Sequence, residues 1–311
     1  MTTASRWRAP ESARQGRVIC IGNFDGVHRG HQALIRRGKS LAQTLGVEGV
    51  TALSFWPPPS HYFRPDSPLH VLSVPDERSE LLRQAGVEEP IFLPFDQSIA
   101  ELAAETFAAQ ILVDQLRSTG VVVGADFRFG TQRRGDTNLL RSVLAKTGGA
   151  VDIVTKVETG GIAISSSRIR SLISNGHFEQ GVELLGHPYP LSGKVIPGDQ
   201  RGRQIGFPTA NLDVPVEKLL PPAGVYGGKA HWNEQMYPVI VNIGTKPTFT
   251  SGGALCVEAH LLNTPNGLDL YGQHLRLELE YHLRAEQRFD HVEALTRQIA
   301  VDIEKLQRRL A

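Results

Sequence analysis

The distribution of apolar residues divides the chain in two. In the first part, continuous apolar runs of strand length occur at Val18-Ile19-Cys20-Ile21, Val50 to Phe55, Ile91-Phe92-Leu93, Val121-Val122-Val123 and Val151 to Val157. Such runs suit parallel strands covered on both faces. Helical spacing separates them, over His31 to Leu45, over Pro75 to Ala85 with Gly86 as a C′ residue, and over Ala100 to Leu116. This βαβα order predicts a doubly wound parallel sheet with ligands at the carboxyl ends of its strands. Residues 1–16 read as a ragged lead-in.

Beyond Leu184-Leu185-Gly186-His187-Pro188 the helical period gives way to short runs punctuated by Gly and Pro: Gly193 to Ile196, Gly224 to Ala230, Tyr237 to Ile243, Cys256 to Leu262 and Leu275 to Tyr281. Many short strands with turn signals predict a small antiparallel β-barrel or sandwich. Asp290-His291-Val292-Glu293 resembles a capping box and opens a long terminal helix. Its stripe of Val292, Leu295, Ile299, Ile303, Leu306 and Leu310 reads as core. The expected organisation is therefore a lead-in (1–16), an α/β domain (17–184) and a β-barrel domain with its helix (185–311).

Composition narrows the partners. A chain of 311 residues with net charge +1 and 41% hydrophobic residues gives no reason to expect nucleic acid or a membrane surface. No run has the uninterrupted apolar length of a membrane span or a signal peptide, which points to the cytoplasm. Cys20 and Cys256 both lie in apolar runs and read as buried thiols, not as a disulfide or a zinc site.

Four clusters carry candidate chemistry. The first, Gly22-Asn23-Phe24-Asp25-Gly26-Val27-His28-Arg29-Gly30-His31, joins the first strand to the first helix. A helix N-terminus fed by a glycine-rich turn offers backbone N–H groups to phosphate. Two histidines at its mouth add donors for charge that develops on a phosphate during displacement. The second cluster, Ile164-Ser165-Ser166-Ser167-Arg168-Ile169-Arg170, places hydroxyls before a short helix and an arginine one turn in. It reads either as a serine cap or as a second phosphate clamp.

The other two clusters are in the second half. Gly198-Asp199-Gln200-Arg201-Gly202-Arg203-Gln204-Ile205-Gly206 has the composition of a phosphate flap and leads into Phe207-Pro208-Thr209-Ala210-Asn211. Thr209 and Asn211, two apart on an extended chain, point the same way and offer oxygen ligands suited to Mg²⁺. Glu258, in Val257-Glu258-Ala259-His260, is either a solvent-facing strand residue or a base aimed into a cleft.

These clusters resemble two families found joined in prokaryotic FAD synthetases. Gly-x-Phe-Asp-Gly-x-His-x-Gly-His, Gly-x-Asp-Phe-Arg-Phe-Gly from Gly124, and Ser-Ser-x-x-Ile-Arg are similar to the FMN adenylyltransferase module, an HxGH nucleotidyltransferase. Leu-Gly-x-Pro-Tyr, the flap with Phe-Pro-Thr-Ala-Asn, Gly-Val-Tyr, Asn-Ile-Gly-x-x-Pro-Thr-Phe, Val-Glu-x-His and Asp-Leu-Tyr-Gly are similar to riboflavin kinases. For the N-terminal site the resemblance implies ATP contacts from Gly22, Phe24, Asp25, Gly30 and Asp126. It makes His28 and His31 catalytic at the α-phosphorus and places Ser165, Ser166 and Arg170 on the departing pyrophosphate. For the C-terminal site it implies Thr209 and Asn211 on Mg²⁺ and ATP, Gly198 and Gly206 in the flap, and Glu258 as base. The substrates would be riboflavin, FMN and ATP.

Two departures stand out. Pro58 occupies the middle of what is usually Pro-His-Pro in the adenylyltransferases, with His61 three residues on. Ser167 replaces a threonine and keeps its hydroxyl. Pro58 motivates the alternative of a riboflavin kinase carrying a weak or silent adenylyltransferase domain. A flavin-binding sensor is disfavoured by the intact Thr209, Asn211 and Glu258. A cytidylyltransferase leaves the C-terminal clusters unexplained.

Overall fold

A computed structural model describes residues 7–14, 16–198, 202, 206–245, 255–265 and 268–310. The chain forms two compact units, Met1–Leu69 with Arg78–Ser165, and His70–Glu77 with Ser166–Ala311.

In the first unit the chain runs β1 (Val18–Ile21), α1 (Arg29–Leu45), β2 (Val50–Trp56) and the single turn α2 (Pro59–Tyr62). Next come α3 (Pro75–Gln84), whose first turn up to Glu77 groups with the second unit, and β3 (Glu89–Pro94). Two short turns, α4 (Gln97–Ala100) and α5 (Ala104–Thr106), lead into a π-helical stretch, Phe107–Gln115. The unit continues with β4 (Gly120–Gly124), α6 (Thr137–Ala145), β5 (Ala150–Val154) and a small hairpin of β6 (Glu158–Thr159) and β7 (Ile162–Ala163). The five long strands form a parallel sheet in the order β3-β2-β1-β4-β5.

Burial explains the unbroken apolar runs. Ile19 and Ile21 pack with Leu53, Leu93, Val121, Ile111 and Leu140 on one face of the sheet. Val18 and Cys20 pack with Val50, Ala52, Leu34 and Ile35 on the other. The strand order reverses between β1 and β4, so the loops that leave those two strands flank the switch point of the sheet, the usual ligand crevice. Part of the lead-in is ordered: Ala9 is buried, its N–H bonds Gln115 Oε1 at 3.2 Å, and Trp7 packs on the core. The strand expected to reach Val157 ends at Val154.

The second unit holds α7 (Ser166–Ser174), α8 (Phe178–Leu185), six strands and α9 (Val292–Leu310). The strands are β8 (Tyr189–Ile196), β9 (Ala210–Asp213), β10 (Gly224–Trp232), β11 (Gln235–Thr245), β12 (Leu255–Leu261) and β13 (His274–Ala285). They close an antiparallel barrel in the order β10-β11-β12-β9-β8-β13. The sequence pattern omits β9, which has only four residues and no alternation of its own. Alternate residues such as Val257, Ala259, Val239 and Val241 are buried.

Outside the barrel, Leu306 of α9 packs on Val225, Ile240 and Leu262. The stripe on α9 is only partly core, because Val292 is 55% exposed. The segment His70–Glu77 is fixed to the barrel by a buried ion pair, Lys218 Nζ to Glu77 Oε2 at 2.8 Å. Ser192 Oγ donates to Glu77 Oε1 at 2.9 Å, and the ammonium also lies 4.1 Å from the centre of the Tyr189 ring. Both cysteines are free; Cys20 is fully buried and burial pushes its thiol pKa far up.

Candidate functional sites

At the first site, β1 delivers the chain into a turn that non-glycine residues take with unusual backbone angles. Phe24 has φ +50° and Val27 φ +38°, beside Gly26 at +76°. Positive φ is rare for side chains of this bulk and recurs where a site holds strain. Helix α1 begins at Arg29, two residues before the expected start, so His28 is the N-cap residue and His31 lies in the first turn. Their rings stack, with centroids 3.7 Å apart and planes 19° from parallel. Gly30 makes room for this pair, since a Cβ there would come within 3.0 Å of the His28 ring.

His31 is held well below the ordinary imidazole pKa, first by burial, then by the neighbouring His28 and the Arg78 guanidinium. Its Nδ1 is buried without a hydrogen-bond partner among the described residues. Phe24 is buried, with its ring 5.2 Å from that of His31, so only its backbone is available to a nucleotide. Asp25 is also buried and turned toward Arg78, 3.5 Å away.

The loop after β4 presents Asp126, which is 69% exposed. A hydrogen bond from Lys156 holds its carboxyl below the usual pKa, with their charges 3.0 Å apart. The chain entering the serine cluster passes the mouth of α1, where the Ile164 carbonyl would lie 3.8 Å from a Cβ on Gly30. Of the three serines only Ser165 precedes α7; Ser166 and Ser167 lie in its first turn, and Arg170 Nη2 donates to Ser167 Oγ at 3.2 Å. Pro58 is buried at the N-cap of α2, and His61 is half-buried on that turn. Beside it, Phe63 is 65% exposed, with its ring 6.0 Å from Phe95.

The second site is a rung across the outside of the barrel. Sheet register places Asn211 of β9 opposite Glu258 of β12, Glu258 opposite Asn242 of β11, Asn242 opposite Val225 of β10, and Val225 opposite Arg284 of β13. Residues that pair across strands share a face. A cleft of about 380 Å³ runs along this rung, lined by Thr209, Asn242, Glu258, His260, Arg284 and Glu286, and by Leu295 and Ile299 of α9. Those two stripe residues are thus cleft wall as well as helix face.

Arg284 Nε donates to Asp302 Oδ2 at 2.9 Å, and Gln298 of α9 donates to the other oxygen at 3.0 Å. Asp302 is buried within the apolar stripe. His260 Nδ1 lies 2.7 Å from the Pro208 carbonyl, and burial lowers its pKa, which keeps it neutral near pH 7.

Asn211 is buried, and its Oδ1 has no hydrogen-bond partner among the described residues. A Cβ on Gly198 would run into the Asn211 carboxamide, so Gly198 is the residue that lets the chain pass over it. Gly206 has φ +87°. Asp199 to Arg201 and Arg203 to Ile205 of the expected flap lie outside the described residues. Asn242, Arg284 and Asp302 were not singled out from sequence. Asn242 does lie inside a quoted motif, whereas the pairing of Arg284 with Asp302 leaves no local signature.

Residues 10–168 match the family model for FAD synthetase, and residues 185–310 match that for riboflavin kinase. The chain is 37% identical over 294 residues to the bifunctional riboflavin kinase/FMN adenylyltransferase of Escherichia coli K12, covering 94% of this chain and 92% of that one. The chain belongs to this bifunctional family. A Bacillus subtilis member is 34% identical, with 92% and 90% of the two chains covered. A crystal structure described as a macrolide-efflux protein from Streptococcus pneumoniae superposes with TM-score 0.80 at 30% identity, over 96% of this chain and 95% of that one. Among the described residues no helix is long and apolar enough to cross a membrane. Both module types of the family are therefore present, in the order that the motifs imply.

Proposed function

We propose that the chain converts riboflavin to FMN in the barrel unit and FMN to FAD in the sheet unit, each step consuming one ATP. The observation that carries this reading is the rung Asn211–Glu258–Asn242, which gathers a base and oxygen ligands from three strands beside one cleft. Glu258 accepts the proton of the ribityl 5′-hydroxyl as its oxygen bonds to the γ-phosphorus and the bond to the β-phosphate oxygen breaks, releasing ADP.

Thr209 Oγ1 and Asn211 Oδ1 are the oxygens that would hold Mg²⁺, which would neutralise charge on the phosphates of ATP. The orphaned, buried Oδ1 fits that role. Mg²⁺ is commonly bound by a few protein oxygens with the substrate phosphates completing its shell, where it neutralises phosphate charge. Val225, Ile240, Leu295 and Ile299 give the cleft an apolar wall for the flavin ring.

At the other site an FMN phosphate oxygen attacks the α-phosphorus of ATP and pyrophosphate leaves. No protein nucleophile is needed. His28, His31 and the N–H groups at the start of α1 donate to the phosphate oxygens as charge builds. Ser165 binds the β/γ side, with Gly22, Gly30 and Asp126 lining the nucleotide path, and exposed Phe63 offers a face for the flavin ring.

The buried, side-chain-poor Pro58 favours one second reading, a kinase with a feeble adenylyltransferase. Chromatography of flavins after incubation with Mg²⁺, ATP and either riboflavin or FMN separates the two. FAD from both substrates is expected; FMN from riboflavin with no FAD from either establishes the second reading.

A further inference from the structure

Arg78 is the largest fully buried side chain among the described residues, and its guanidinium reaches the loop that follows β1. Its Nη1 donates to the Asn23 carbonyl at 2.9 Å and approaches Ser54 Oγ at 3.4 Å, while Nη2 pairs with Asp25 Oδ1 at 3.5 Å. Ser54 Oγ donates to the same Asn23 carbonyl at 2.9 Å. The guanidinium also lies 5.7 Å from the Trp56 ring centre and 5.8 Å from that of Phe92. A planar cation with a fixed fork of donors suits such an arrangement, and a lysine cannot reproduce it.

The loop so held is the one with positive φ at Phe24, Gly26 and Val27, immediately before the stacked histidines. Strained turns persist only where their surroundings over-determine them. We propose that Arg78 is the positioning residue of the adenylyl-transfer site: from beneath, it clamps the Asn23–Asp25 turn so that His28 and His31 stay stacked at the mouth of α1. This inference rests on the reading of that site given above. Arg78 is fully buried, so its action on the site runs through the loop.

The clamp has an electrostatic consequence. The charged side chain that bears on His31 is Arg78, from α3, and facing that guanidinium is Asp25, from the loop. The Arg78 charge helps to keep His31 neutral before ATP arrives. A neutral pair can stack closely, whereas two imidazolium rings repel.

The test compares full-length wild type, Arg78→Lys and Arg78→Met for FMN adenylylation, riboflavin phosphorylation and the NMR titration of the His31 ring, assigned against His31→Gln. A misplaced catalytic pair predicts a loss of about 100-fold in kcat for adenylylation in Arg78→Met, with a much smaller change in KM for ATP. Arg78→Lys recovers part of that loss, and kinase turnover persists in both variants. The His31 titration moves to higher pH in Arg78→Met and stays low in Arg78→Lys.

Adenylylation in Arg78→Met within about twofold of wild type overturns the proposal. So does a loss that lysine does not relieve, with the His31 titration unmoved, because Arg78 is then only a part of the fold. If Arg78→Met loses both activities through unfolding, Asp25→Asn is read in its place, since it removes the carboxylate and leaves the arginine. It is expected to lower kcat for adenylylation with the kinase intact, and unchanged adenylylation in it overturns the proposal. Absence of FAD formation by the wild type would instead refute the function assigned to the site.

Discussion

The two sites of this chain are held in place by different means. The histidine site hangs on a loop with positive backbone angles and depends on a buried arginine 53 residues away from Asp25. The proposed kinase site is one rung of a closed barrel, where strand register alone sets Asn211, Glu258 and Asn242 side by side. A loop can be displaced by a change in one prop, whereas a rung moves only if a strand slips, which would turn every side chain of that strand over. The first site should therefore be sensitive to distant substitutions, and the second mainly to its own residues.

The largest expected effect is on the rung. Glu258→Gln should lower riboflavin phosphorylation by about 10²–10⁴-fold while FMN adenylylation continues, as followed by flavin chromatography. Equal loss of both activities would break the two-site comparison. Lys218→Met should destabilise the barrel unit by about 3–5 kcal/mol, because Glu77 is left buried and charged without its partner. Denaturant unfolding measures this, and the double change Glu77→Gln with Lys218→Met should restore much of the loss.

His28→Ala should act the other way from Glu258→Gln, lowering adenylylation by about 10²–10³-fold with kinase turnover retained. A smaller effect follows from pH. His31 refuses its proton in the folded state, whereas the unfolded chain takes one up below about pH 6.5. Its contribution to stability is thus present above that pH and is lost as pH falls from there toward the depressed native value. His31→Gln should flatten that part of a stability–pH curve. Least of all, Pro58→His should raise adenylylation by about 2–10-fold, the worth of one hydrogen bond. An unchanged rate would show that the proline is no handicap.

Local chemistry made much of this legible from the sequence. The strands at Val18, Val50 and Val121 announce themselves because both faces are buried. The candidate residues Thr209, Asn211, Glu258, His28 and His31 lie in short stretches that residue type and spacing single out. What stayed hidden depends on partners distant in sequence. Arg78 is one more arginine on an acidic helix until Asn23 and Asp25 are seen against it. Lys218 gives no hint of Glu77, 141 residues earlier. Asp302 reads as an interruption of an apolar stripe until Arg284 explains it. Strand β9 carries Asn211 but has four residues, too few to show a period.

The terminal helix divides its labour along its length. Leu306 is locked into the apolar patch on the outside of the barrel, while Leu295 and Ile299, nearer the N-terminal end, border the cleft. Ligand in the cleft would complete the packing of the first turns and add nothing to the last ones. Amide hydrogen exchange along α9 should therefore be graded: the C-terminal turns slow in both states, the N-terminal turns slow only when flavin is bound. The helix would then report occupancy of the kinase site by how far its protection extends toward Val292.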